Sequence, residues 1–407
     1  MYYIILYIIL FIIIIILCII AYIKLKFRFW SIQPVFHIYD FQYYLFPIGI
    51  IDQELPEKNK YCNFKSIETI KYDELSEFRI NKFIQFICSN YLQNNDNKFE
   101  PKKSNIMPYF EGHNTSSFFS FYYEDEILVN LKDNNTELTK KLIGVMTSRP
   151  INVTIYKKNK LKPTRELFNI YYVDYLCVDK NYRKKGIAQQ VIQTHHYKQR
   201  HNNRQIVVSL FKREDELTGI VPLCVYNTYG FDMIGWIKPS ELIPTDGSLI
   251  ECSKTNIHYL VDFMRENMET NFDICIMPEI SNILELIKTQ NIYIYFIIEN
   301  DNIICTYFFR KTCTLIHNNC EAICLFASIN SVYCNNDIFI HGYKISLWKI
   351  CNKFGFKFAV IEEISDNYLI IENLKLKTKP SIISPTAYFF YNFAYHTFQS
   401  KKTFILN

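Results

Sequence analysis

The stretch VDYLCVDKNYRKKGIAQQVI, Val173 to Ile192, narrows the folds open to this chain more than any other, because it reads as a strand running into a basic turn and then a helix. Tyr175, Leu176, Cys177 and Val178 form a short buriable run, Asp179 and Asn181 interrupt it, and apolar spacing after Gly186 turns helical at Ile187, Val191 and Ile192. Arg183, Lys184 and Lys185 therefore stand where a new helix leaves its first amide N–H groups unpaired, a ready anion site with room for a diphosphate. Spacing alone leaves a second reading open, that of a solvated basic loop.

The second constraint is at the start of the chain. Nothing from Tyr2 to Tyr22 is charged, and about 20 helical residues cross the ~30 Å hydrocarbon layer of a bilayer. The run lacks the early cation and the small-residue exit of a cleaved signal peptide. A buried core helix is the other alternative, but an isoleucine-rich surface that is apolar all round suits lipid. We therefore expect a single-pass membrane anchor over residues 2–22. Lys24, Lys26 and Arg28 follow it and no cation precedes it, which places the folded part in the cytosol. Sequons at Asn114, Asn134 and Asn152 would carry glycans only in the opposite orientation.

With 407 residues, 49% of them hydrophobic, the remainder can bury one large core or two fused ones. A net charge of +5 is too mild to imply a nucleic-acid partner. The 13 cysteines form no C-x-x-C pair, and Cys313, Cys320 and Cys324 near His317 lie among apolar residues. We expect core thiols in a reducing compartment and no metal site. His195 and His196, set among Gln, Lys and Arg, read as a solvated helix face. Gln93 to Ser104 reads as a surface loop, and Asp125 to Lys141 as a strand followed by a turn. A helix is expected around Tyr343 to Phe354, and no internal repeat is visible by identity.

The run from Val173 resembles the pattern NFLCVHKKLRSKRLAPVLI of the protein N-myristoyltransferase (glycylpeptide N-tetradecanoyltransferase) family. Further blocks are similar in the same order: FRFWSIQPV to FWxTQPV, GVMTSRPINVTI to the strand pair GFISAIPANIHI, FIIEN to FVVEN, YFFYNF to YYLYNW, and the closing KTFILN to VGLVLQ. The resemblance implies an α/β fold of two acetyltransferase-like (GNAT-type) halves, each a mixed sheet flanked by helices, fused about a pseudo-twofold and preceded here by the transmembrane helix. Residues 27–245 would bind acyl-CoA, and residues 246–407 would complete a peptide groove.

The function implied is transfer of a tetradecanoyl group from myristoyl-CoA to the N-terminal glycine of proteins, with myristoyl-CoA as donor and no prosthetic group. Backbone N–H groups of Tyr175 and Leu176 would meet the oxyanion, and the α-carboxylate of Asn407 would be the base. Arg28, Phe29 and Trp30 align with the element lining the acyl-CoA channel. Tyr175, Leu176, Cys177, Val178, Arg183, Lys184, Lys185, Gly186, Ile187 and Ala188 align with the segments holding the thioester and phosphates. On the peptide side the aligned residues are Asp96, Phe99, Ser209, Tyr391 and Asn392. Here the chain departs from the family: the acidic loop becomes Gln93, Asn94, Asn95 and Asp96, and the glycine-rich turn becomes Thr378 to Pro385. A preference for lysine-bearing substrates should be weak. Two alternatives stay open: an N-acyltransferase with a different acyl chain or acceptor, and a catalytically silent binder of acyl-CoA or lipidated proteins at a membrane.

Overall fold

The computed structural model describes residues 2–92, 97–129, 136–158, 164–214, 219–241, 243, 247–316 and 320–407. Helix α1 (Tyr2–Lys26) buries none of its side chains in the protein. It is long and apolar enough to cross a membrane. Helix α2 (Glu77–Asn90) starts where Ser76 accepts a hydrogen bond from the Arg79 N–H, and it buries Phe83, Phe86 and Ile87.

Strands β1 (Phe118–Val129), β2 (Thr136–Lys157) and β3 (Thr164–Val178) form an antiparallel meander. The segment expected to be a strand pair, Gly144 to Ile155, is instead the inner part of one long strand, β2. Helix α3 (Ile187–Asn202) follows, and Ile187 and Val191 pack on Ile143 and Met146. A Cβ at Gly144 would stand 3.2 Å from the Ile187 side chain, so the glycine lets α3 lie close on the sheet. Strand β4 (Val208–Glu214) then runs parallel to β3, and β5 (Cys224–Asp232) leaves this group.

The second half repeats the order. Strand β6 (Ile274–Met277) lies beside β2. Strands β7 (Ile292–Glu299), β8 (Asn302–Ile316) and β9 (Cys320–Asn330) form another antiparallel meander. Helix α4 (Asn336–Phe354) begins about two turns before the expected Tyr343, because Asn335 caps it through the Asp337 N–H, and it ends at Gly355 in the left-handed region. Strand β10 (Phe358–Glu362) is parallel to β9. Strands β11 (Ile382–Tyr391) and β12 (Thr403–Ile405) close the chain, with β12 parallel to β6.

The two units are interleaved in a single sheet. Across its middle the order is β3-β4-β11-β5-β10-β9, so each half passes its last long strand to the other. Strand β11 pairs with β4 through Tyr391↔Ser209 and with β5 through Tyr388↔Cys224. Strand β5 in turn pairs with β10 through Phe358↔Asp232. The mixed α/β architecture of two acetyltransferase-like units is thus present, and its symmetry lies in topology rather than in residue identity.

Candidate active site

Strands β3 and β4 are hydrogen-bonded partners only from Ile170↔Val208 to Tyr172↔Leu210. Beyond that point β3 runs on to Val178 and β4 to Glu214, so the two diverge. The gap is a cavity of about 380 Å³ bordered by Asp174 and Leu176 from β3, Ser209, Phe211 and Lys212 from β4, and Ala188 and Gln189 from the first turn of α3. Phe29 and Trp30 close one wall, where Trp30 stacks on Phe211 at 5.5 Å.

The turn feeding α3 is held by its own chemistry. The Asp179 carboxylate accepts from the Asn181 N–H at 2.8 Å. Lys184 and Gly186 both have positive φ, and no side chain caps the helix, so its first N–H groups are not covered by a cap. Lys184 and Lys185 are exposed beside it. The Arg183 guanidinium instead donates to the Asn90 carbonyl at 2.8 Å, which ties the turn to α2. Arg28 is exposed and does not border the cavity, and Cys177 is buried in an aromatic cluster away from it.

A second cavity, of about 390 Å³, is bordered by Phe99, Tyr172, Tyr175, Arg310, Glu362 and Asn407. Asn407 is only 7% exposed. The parallel pairing of β12 with β6 carries it there, and the Leu406 N–H donates to the Ile276 carbonyl. Arg310 donates to the Asn407 side-chain oxygen at 3.1 Å and to its main-chain oxygen at 3.3 Å, while Asn407 Nδ2 donates to the Tyr172 hydroxyl at 2.7 Å. Tyr91, Asp174 and Lys212 border both cavities, so the two meet there.

Glu362 organises the charge in this second cavity. It accepts from Lys212 at 3.0 Å, from the Tyr226 hydroxyl at 2.6 Å and from Arg310. Burial alone would raise its carboxyl, but Lys212 and Arg310 outweigh that and hold it at about 2. Burial likewise opposes the Arg310 charge, and Glu362 holds the guanidinium protonated, well above its ordinary range.

The register of β2 against β3 slips between Met146 and Ser148, so Asp174 and Tyr175 together face the single residue Thr147. This bulge turns Asp174 towards the meeting point of the cavities. It also directs the Tyr175 N–H onto the Thr147 hydroxyl at 3.2 Å.

The histidines correct the sequence reading. His195 and His196 are buried, not solvated, and both border the first cavity. Ser148 spends its proton on Gln199 Oε1 at 2.9 Å, so it accepts from His195 Nε2 at 2.8 Å, and His195 Nδ1 then accepts from Ser120 at 2.8 Å. This is the pattern of a neutral ring, and burial lowers His195 to about 4 and His196 to about 3.

On the expected peptide side, only Phe99 borders the cavity that holds Asn407. Ser209 and Tyr391 border the first cavity instead. The Asn392 side chain is spent on the chain itself: its oxygen accepts from the Asp52 N–H, and its Nδ2 donates to the Asp52 and Val207 carbonyls. Asp96 lies outside the described residues, as do Asn134 and His317. Asp174, Lys212, Arg310 and Glu362 were not singled out from sequence. For Asp174 a signal was present, a carboxylate one residue before Tyr175 inside the otherwise apolar run from Ile170 to Val178.

Residues 53–224 match the family profile described as "Myristoyl-CoA:protein N-myristoyltransferase, N-terminal domain". Among solved structures, Saccharomyces cerevisiae N-myristoyltransferase with bound myristoyl-CoA is similar at 15% identity and a TM-score of 0.69, covering 92% of this chain and 90% of that one. A second structure of that yeast enzyme matches at 13% identity and a TM-score of 0.67, covering 92% and 94%. A tandem GNAT protein from the clavulanic acid biosynthesis pathway matches at 8% identity and a TM-score of 0.53, covering 82% of this chain and 100% of that one. No curated protein matches the chain by sequence.

Proposed function

Because the chain belongs to the N-myristoyltransferase family, as a divergent member matched over residues 53–224, we propose that it moves a tetradecanoyl group from myristoyl-CoA to the N-terminal glycine of proteins. The observation that carries this reading is the junction of two cavities at Asp174. One cavity lies between splayed strands over an uncapped helix N-terminus, and the other encloses Asn407. In this reading residues 27–245 hold the CoA thioester, with its phosphates on the N–H groups of Ile187 and Ala188 beside Lys184 and Lys185, and residues 246–407 complete the peptide groove.

The glycine amine attacks the thioester carbonyl directly. An N-terminal ammonium has a pKa of about 7.7 to 8.0, so a weak base suffices, and the Asn407 carboxylate, held by Arg310, serves as that base. The N–H groups of Tyr175 and Leu176 receive the oxyanion. The Tyr175 N–H must first leave the Thr147 hydroxyl, and that engagement favours the second reading, a catalytically silent binder of acyl-CoA or lipidated proteins. An acyltransferase of different chain length or acceptor is separated by the choice of donor.

The test uses the full chain in detergent with myristoyl-CoA or acetyl-CoA and a panel of peptides. We expect a tetradecanoyl mass increment on the α-amino group of glycine-initiated peptides only. Binding of myristoyl-CoA without product would establish the silent binder, and faster use of acetyl-CoA would establish the different acyltransferase.

The same proposal places α1 across a membrane with the folded part in the cytosol. It is supported by the apolar surface of α1, by Lys24 and Lys26 at its end, and by cysteines that are all free thiols. In eukaryotic cells the full chain should pellet with membranes through alkaline washing, deletion of residues 2–26 should release it, and endoglycosidase should leave its mobility unchanged. Release of the full chain by washing would refute the anchor, and a mobility shift would reverse the orientation.

A further inference from the structure

Arg149 and Asp174 form a buried ion pair on neighbouring strands, with Arg149 Nε donating to Asp174 Oδ1 at 2.8 Å and side-chain exposures of 1% and 10%. The pair is incompletely satisfied. Among the described residues, both terminal nitrogens of Arg149 and Asp174 Oδ2 are buried without a hydrogen-bond partner. The Arg149 guanidinium is sandwiched instead between the rings of Tyr109 and Tyr172, each 5.4 Å away. Arg149 borders neither cavity, whereas Asp174 borders both. A buried acceptor left open at such a junction calls for a donor from outside the fold.

The reaction proposed above has such a donor. An ammonium that becomes an amide nitrogen gives up two protons, and the Asn407 carboxylate accounts for one. Resting on that reading, we propose that Asp174 is the acceptor of the second proton and hands it to the departing CoA sulfur, with Arg149 as the positioning residue that aims it. The N–C bond forms to the carbonyl carbon, and the first ammonium proton goes to Asn407 and on to water. The C–S bond then breaks, while the second proton passes from nitrogen through Asp174 to the sulfur, which leaves as a thiol. Of the two carboxylates only Asp174 borders the cavity assigned to the thioester. Burial raises its proton affinity, with Arg149 offsetting part of the rise, as a shuttle requires.

The charged groups around this point are Arg149 from β2, Arg310 and Lys311 from β8 and Lys212, Arg213 and Glu214 from β4, with Glu362 from β10 and Asn407 after β12. Tyr91, Tyr109, Tyr172 and Tyr175 border the second cavity with them, and His195 and His196 face Asp174 across the first. The tyrosines are held protonated and the histidines neutral by burial, and Glu362 is taken up by Lys212, Tyr226 and Arg310, so Asp174 and Asn407 are the buried carboxylates left for the amine, with Glu214 exposed to solvent.

The experiment compares the full chain with Asp174→Asn and with the double variant Arg149→Met/Asp174→Asn. Single-turnover transfer by Asp174→Asn should fall about 10²-fold, in line with loss of one proton-transfer group, and should lose the part of the acidic limb of its pH profile that Asp174 contributes, while myristoyl-CoA affinity and peptide KM hold. The single variant strands the buried Arg149 charge and lowers the melting temperature, and the double variant should recover the melting temperature without the rate. If turnover returns with stability in the double variant, or if Asp174→Asn keeps the wild-type rate and profile, Asp174 is structural and the inference is overturned while the transferase reading stands. A wild-type chain that acylates no glycine peptide overturns both.

Discussion

One residue appended after Asn407 should reduce transfer by about 10² to 10⁴-fold, the usual worth of a general base, with myristoyl-CoA affinity unchanged. The extension converts the carboxylate beside Arg310 into an amide, which takes no proton at neutral pH, and it demands room where Asn407 is 7% exposed. The first cavity is not bordered by Asn407. Titration calorimetry with myristoyl-CoA and single-turnover assays with a glycine peptide therefore report on separate places in the molecule. Equal turnover by the extended and native chains would remove Asn407 from the mechanism, and loss of acyl-CoA affinity would show that the extension had disturbed the fold.

Replacing Glu362 by Gln should be the most destabilising single change near the site, by about 3–5 kcal/mol, because it strands Arg310 and Lys212 without their shared counter-charge. Urea denaturation at neutral pH measures it. The pH dependence follows from the depressed carboxyl. Glu362 titrates at about 2 in the folded chain and near 4.3 in the unfolded one, so the unfolded state binds its proton first on acidification. Its contribution is complete above the unfolded value and is lost as pH falls through the folded one. The gap between wild type and Glu362→Gln should accordingly narrow from pH 5 towards pH 2. Equal stability at pH 7 would show that the cluster is screened by solvent rather than paired. Transfer should fall as well, since Arg310 holds both Glu362 and Asn407.

The parts of the fold legible in the sequence are those in which a run of neighbours carries the physics. Helix α1 is uncharged from Tyr2 to Tyr22, and the step from β3 through the basic turn into α3 shows its change of period within 20 residues. The interleaving of the halves was not legible, because the pairing of β11 with β4 joins residues far apart in sequence and leaves no local pattern. The strand pair expected over Gly144 to Ile155 came from the resemblance, whereas one strand runs through Ser148, Arg149 and Pro150. In the sheet all three are buried, with Ser148 satisfied by Gln199 and Arg149 bonded to Asp174.

The same cause misplaced the histidines. A buried polar residue with its partners in place has the composition of a surface, and only the Ser120 and Ser148 hydroxyls from β1 and β2 show otherwise. The candidate site was legible only in its local backbone, as the strand that carries Tyr175 and Leu176 and the turn at Gly186. It was hidden where side chains converge from separate strands. Lys212, Arg310 and Glu362 meet only because β4, β8 and β10 face one cavity, and no spacing announces that.

The exchange of β5 and β11 between the halves has a consequence for biogenesis. Until residue 391 has been synthesised, the flank of β4 and the facing flank of β5 are bare, and an amino-terminal fragment emerging from the ribosome holds open hydrogen-bonding edges. Such a fragment cannot complete the sheet while translation continues, and its open edges stay exposed to association until the second half arrives.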